Sequence, residues 1–200
     1  MTAPGSHPRL RLHQLAYALA LAAAAVTGGR LFEGNAGLAA QSAGFVLVAA
    51  AVLWRLWSTL FVAGRKDVEL VRDGPYAACR HPLYLGSVAA ALGIGLTTRS
   101  LVLALALPLV IGAAASAAAR GEDRALAIAH GDAWRDYRAA TPAFWPRWRR
   151  MRLPASVSVP PAIYRKAFLD AASFLALWLL VLLVETLRAG GAWQAAFRLP

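Results

Sequence analysis

The stretch that decides the fold runs LYLGSVAAALGIGL (Leu83–Leu96), TTRS (Thr97–Ser100), LVLALALPLVIGAAASAAA (Leu101–Ala119). Two apolar runs without a charged residue flank four polar positions, which reads as a tight helical hairpin. A helix needs roughly 20 apolar residues to cross about 30 Å of hydrocarbon. Leu101 to Ala119 meets that length, while Leu83 to Leu96 is marginal alone and relies on its partner. Working outward, Leu15 to Leu31, Gly37 to Leu53 and Ala167 to Val184 are further runs of spanning length. With 59% hydrophobic residues, 16% charged residues and a mean hydropathy of +0.52, the whole chain fits the same reading. The expectation is an all-α integral membrane protein with about five transmembrane helices. The first run follows Arg9 and Arg11 but has no clear small-x-small cleavage site, so it reads as a retained helix and not a signal peptide.

A net charge of +11 raises the question of nucleic acid, and the distribution of the charges answers it in the negative. Arg9 and Arg11 precede the first run, and Arg65, Lys66, Arg72 and Arg80 follow the second. A dense series from Arg120 to Lys166 separates the fourth run from the fifth. The other side receives only Arg30, Arg99, Arg188 and Arg198. Basic residues gather on the cytoplasmic side of membrane proteins, which places the N-terminus and the polar segments in the cytoplasm of a bacterial inner membrane, beside anionic membrane lipids. The lone Cys79 has no partner for a disulfide or a zinc site.

The chain divides into a two-helix membrane scaffold (1–60), a core with the hairpin (61–146), and a basic interfacial linker with a fifth helix (147–200). In the core, Gly74-Pro75 marks a turn. Pro82 sits where a helix begins, since a proline at the first helical position loses no hydrogen bond. Arg80 and His81 then stand at a helix N-terminus on the membrane surface, a place suited to a carboxylate or phosphate. After the fourth run come Arg120-Gly121-Glu122-Asp123-Arg124 and a segment in which Leu126, His130, Trp134 and Tyr137 recur near one helical turn, ended by Thr141-Pro142. Phe144 to Arg150 mixes aromatic and basic residues as an interfacial anchor does, and Pro154 to Pro161 reads as a linker.

Several chemistries find no support. Gly93-Ile94-Gly95 lacks the strand and third glycine of a dinucleotide fingerprint and reads as helix packing. His7, His13, His81 and His130 show no metal-ligand spacing, so no metal is expected. No Ser/His/Asp order with an elbow motif occurs. What remains is an ordered constellation: Leu70-Val71, Gly74-Pro75-Tyr76, Arg80-His81-Pro82-Leu83-Tyr84-x-Gly86, the hairpin, Glu122-Asp123-x-x-Leu126, Gly131 and Tyr137. Over roughly residues 60 to 146 this resembles the isoprenylcysteine carboxyl methyltransferase family and its relatives, the phospholipid N-methyltransferases.

The resemblance implies an integral membrane enzyme that takes its methyl group from S-adenosylmethionine in a cytosol-facing pocket of helix ends and connecting segments. It implies that Leu70, Val71, Tyr76, His81, Pro82, Leu83 and Tyr84 line that pocket and that Glu122 holds the cofactor's amino group. The residue chemistry suits this: a carboxylate for an ammonium, helix-start amides with Arg80 or His81 for a carboxylate, and tyrosine faces for adenine or a sulfonium. The acceptor would be a lipophilic small molecule or lipidated substrate. The family's substrate arginine, one turn before the acid, is replaced here by Ala118, leaving Arg120, Tyr137 and Arg138 as substrate-side candidates. Trp134 stands where the family commonly has tyrosine, and the tail from about residue 147 is an addition, read as an extra anchor or a cover for the lipid-side entrance. The competing readings are a membrane-embedded, NADPH-dependent reductase of the steroid 5-alpha-reductase kind and a non-catalytic scaffold.

Overall fold

The computed structural model describes residues 34–65 and 68–192, together with the backbone of 27–29 and 197–199. Among the described residues five α-helices follow one another: α1 (Gly34–Val62), the single turn α2 (Pro75–Ala78), α3 (Pro82–Thr97), α4 (Leu101–Ala140) and α5 (Pro161–Ala189). The first apolar run, Leu15 to Leu31, lies outside the described residues apart from a short strand β1 (Thr27–Gly29). That strand is extended where the run was expected to be helical, and it pairs in parallel with β2 (Phe197–Leu199). Among the described residues α1, α4 and α5 are long and apolar enough to cross a membrane. The protein is therefore an all-α membrane protein in its architecture.

The hairpin forms as its sequence dictates. Ser100 caps α4 by accepting from the Leu103 amide, and Arg99 takes a positive φ of 57° in the turn. At 16 residues α3 is only about 24 Å long, so it does not cross the hydrocarbon alone and ends short of the length of α4. The latter does not stop at Ala119, as the hydropathy suggested, but runs on through the acidic cluster. Nothing in Arg120–Arg124 breaks a helix, so the polar residues simply emerge on the same rod. Leu105, Leu109 and Val110 remain exposed along its lipid-facing side.

The core lies between α1, α3 and α5. Val48 and Ala51, Ala90 and Ile94, and Phe174, Leu177, Trp178 and Val181 bury one another there. Because α5 contributes half of that cluster, it packs as part of the bundle. α1 and α3 touch backbone to backbone: a Cβ added at Gly44 would lie 2.5 Å from the Gly93 carbonyl oxygen, and one at Gly93 would lie 2.6 Å from that of Gly44. The glycines of Gly93-Ile94-Gly95 thus serve close packing, as small residues do in membrane helices.

A half-buried cation ties the same three helices. Arg55 of α1 donates to the Leu83 carbonyl (2.9 Å) and to Ser87 Oγ (2.6 Å) of α3, pairs with Asp170 of α5, and lies over the Phe174 ring. Trp54 Nε1 donates to the Pro82 carbonyl at 2.8 Å. Both interactions fix the N-terminal end of α3, which carries the candidate site.

Candidate active site

The loop between α1 and α2 is folded by its own charges. Arg65 donates to Asp73 and to Glu69, each at 2.9 Å. Gly74 takes φ +56°, a conformation that L side chains rarely adopt, and Pro75 starts α2 at its first position. Tyr76 is thereby presented on one helical turn. Three residues after α2 the chain enters α3, with His81 as the cap residue and Pro82 first in the helix, as the sequence predicted.

Residues 142–152 stitch this segment in place. The Arg80 and His81 amides donate to the Pro142 and Ala143 carbonyls (2.8 and 3.0 Å). The Arg147 amide donates to Ala78, and the Gly74 amide to Arg152. Part of the expected interfacial anchor is therefore bonded directly to the loop that carries the site. The interfacial character persists in Trp145 and Trp148, which stay exposed, Trp148 meeting Trp54 edge to face.

α4 brings its acids to the same point. His81 is buried, and its Nε2–H donates to Asp123 Oδ1 at 2.8 Å, while its Nδ1 stands 3.7 Å from Glu122. Arg80 reaches Asp123 (3.1 Å) and donates to the Thr141 carbonyl (2.7 Å) while lying over the Trp134 ring. Gly131 is the break that makes this possible. Its φ of +52° and ψ of −122° interrupt the helix, and beyond it Trp134 and Tyr137 are buried, with the Tyr137 hydroxyl donating to the Tyr76 carbonyl at 2.7 Å.

A cleft of about 440 Å³, its open mouth included, lies among these groups. Of the residues predicted for a cofactor, Leu70, Val71, Tyr76, His81 and Glu122 line it. Pro82, Leu83 and Tyr84 do not line it. The carbonyls of Pro82 and Leu83 accept from Trp54 and Arg55, and the Tyr84 ring sits 5.7 Å from that of His81. Of the substrate-side candidates Tyr137 lines the cleft, whereas Arg120 and Arg138 are exposed side chains outside its lining. Arg80, Leu126 and Trp134 also line it. Asp123, which holds His81 and Arg80, stands in the motif read from the sequence, but nothing in the motif assigns it this role.

The electrostatics follow from burial. Desolvation, and secondarily the nearby Glu122 carboxylate, push the Tyr76 hydroxyl well above the ordinary phenol value, so it is a neutral hydrogen-bonding group. Desolvation likewise raises the buried Cys79 thiol from 9.0 to about 11, making it a packing group and not a nucleophile. Among the described residues, Arg80 of the cleft lining has its Nε buried without a hydrogen-bond partner. The cleft thus combines a carboxylate, a guanidinium with an unsatisfied N–H, a histidine held by a carboxylate, and tyrosine and tryptophan rings. That set suits a zwitterionic ligand carrying an aromatic group.

The phospholipid methyltransferase family profile matches residues 35–132, from the start of α1 to just past the Gly131 break, and so includes His81 and Glu122. The chain is 35% identical over 156 residues to the cobalt-zinc-cadmium resistance protein CzcN of Cupriavidus metallidurans, covering 78% of this chain and 72% of that one. It is 35% identical over 145 residues to the nickel-cobalt-cadmium resistance protein NccN of Alcaligenes xylosoxydans xylosoxydans, covering 72% and 68%. No solved structure matches. With its membrane helices and this extent of similarity, the chain belongs to the phospholipid methyltransferase family of membrane methyltransferases.

Proposed function

We propose that the protein transfers a methyl group from S-adenosylmethionine to a lipophilic acceptor reaching the cleft from the membrane, with the cleft on the cytoplasmic side. The single observation that carries the reading is the meeting of Glu122 with the Arg80–His81 corner across one cleft. The cofactor, when bound, supplies an electrophilic methyl on a sulfonium. Its residues fit the cleft: Glu122 would take the ammonium by charge-assisted hydrogen bonds, the Arg80 Nε–H and His81 side the carboxylate, and Tyr76 with Leu70 and Val71 the adenosine. The chain's own contribution is to orient the two reactants and exclude water, which is enough for a displacement that needs no acid–base pair. Tyr137, at the cleft wall, is assigned to the acceptor side in preference to the exposed Arg120 and Arg138. The two relatives are named for resistance to metals, and a methylated membrane constituent is what this chain would contribute in such a setting.

The test is to incubate membranes containing the protein with methyl-labelled S-adenosylmethionine and extract them with organic solvent. Label should enter the organic phase with wild type and not with Glu122→Gln. Extracts without label for both proteins would remove the lipophilic acceptor from the account.

A further inference from the structure

A second cleft opens on the other side of Tyr137, and its lining is of a different kind. Arg72 from the loop before α2, and Arg149, Arg150 and Arg152 from the segment after α4, converge on it with the single carboxylate of Asp136. Its space is about 1030 Å³ with the open mouth included. Among the described residues none of these four guanidinium groups lies within ion-pair distance of a carboxylate, so the methyl-transfer cleft leaves this concentration of charge unexplained.

Two of the arginines are anchored by backbone carbonyls. Arg72 donates to the Ala133 carbonyl (2.7 Å) and stacks over the Tyr137 ring, and Arg150 donates to the Ala140 carbonyl (2.5 Å), which covers the negative end of α4. The Arg152 carbonyl accepts from Gly74, fixing the backbone of that arm. Arg149 and Arg152 donate no side-chain hydrogen bond within the described fold. Trp145 and Trp148, 82% and 60% exposed, lie in the same segment, as interfacial aromatic residues do at headgroup level.

We infer that this cleft is a binding site for a phosphate group, supplied either by the headgroup of an anionic lipid or by free phosphate. Planar guanidinium forks match phosphate oxygens in geometry and charge, and four of them against one carboxylate leave the cleft strongly cationic. The inference is independent of the methyl-transfer reading, since it concerns different side chains and a binding readout alone.

The full chain in a neutral detergent is titrated with dihexanoyl phosphatidylglycerol, with inorganic phosphate, and with dihexanoylglycerol, which lacks the phosphate. The same titrations are made on the Arg149→Gln/Arg152→Gln double variant, whose lost side chains support no internal hydrogen bond. Unchanged elution and thermal unfolding show that the variant is folded. Saturable binding of both phosphate compounds, weakened at least about tenfold in the variant, supports the site and makes the bare anion sufficient. Binding of the phospholipid alone, equally weakened, supports it with the lipid headgroup as the source. Equal affinity of the variant and wild type, or binding of dihexanoylglycerol as tight as that of the phospholipid, overturns it.

Discussion

His81 Nε2 stands 2.8 Å from Asp123 Oδ1, joining the first turn of α3 to the point where α4 passes beyond its apolar run, across 42 positions of chain. This bond sets the orientation of the imidazole and, through the backbone, the positions of Arg80 and Glu122. Asp123→Asn keeps the shape but removes the charge that holds both His81 and Arg80. We expect it to weaken cofactor binding by roughly tenfold while leaving the fold intact. Titration of S-adenosylhomocysteine against the variant checks this; an unchanged affinity would confine Asp123 to a structural role.

Gly131 controls the far wall of the cleft. With φ +52° and ψ −122° it occupies a region open in practice to glycine alone, and a Cβ added there would meet no heavy atom within 4 Å. Gly131→Val should therefore cost about 1–3 kcal/mol through backbone strain alone. Trp134 and Tyr137 would lose their seat, so substrate-side affinity should fall along with thermal stability.

The Gly44–Gly93 contact is a packing prediction. Gly93→Leu would drive a side chain into the backbone of α1 and should destabilise the bundle by about 1–3 kcal/mol or abolish folding. Gly112→Leu, at a position where an added Cβ would make only an ordinary van der Waals contact with Val88 at 3.9 Å, is the control expected to be mild. Thermal unfolding in detergent distinguishes them.

α5 is held to the site-bearing helix by Arg55 and Asp170. Because the Asp170 side chain is 46% exposed, solvent screens the pair and its coupling should be modest, on the order of 1 kcal/mol in a double-mutant cycle. Arg55→Leu should cost more than Asp170→Asn, because it also removes the donor to Ser87 Oγ and one of the donors to the Leu83 carbonyl.

Cys79 gives the pH dependence. Its thiol is wholly buried and raised from 9.0 to about 11, so the fold favours the neutral form. The resulting stabilisation is complete below the unfolded value near 9 and is lost as pH rises toward about 11. Wild type should lose stability more steeply than Cys79→Ala between those limits, and the thiol should resist alkylation at pH 8 until the protein unfolds.

Much of this arrangement was legible in the chain. The apolar runs on either side of Thr97–Ser100 require a hairpin, and Pro82 can stand only at the start of its helix. What was hidden depended on rotation and long-range pairing. Glu122 and Asp123 are successive residues on a helix and point about 100° apart, so which acid meets His81 depends on how α4 is turned. Nothing near Arg55 in the chain marks its role, because its partner Asp170 lies 115 positions away. The packing of α5 was equally invisible: an apolar stretch facing lipid and one facing helices have the same composition.

The most direct test is calorimetric titration of S-adenosylhomocysteine into the detergent-purified protein and into Glu122→Gln, with NADPH titrated in parallel. The account predicts saturable binding of S-adenosylhomocysteine to wild type, a loss of roughly thirtyfold or more in the folded variant, and no binding of NADPH. Equal affinity in the two proteins, or binding of NADPH alone, would contradict it.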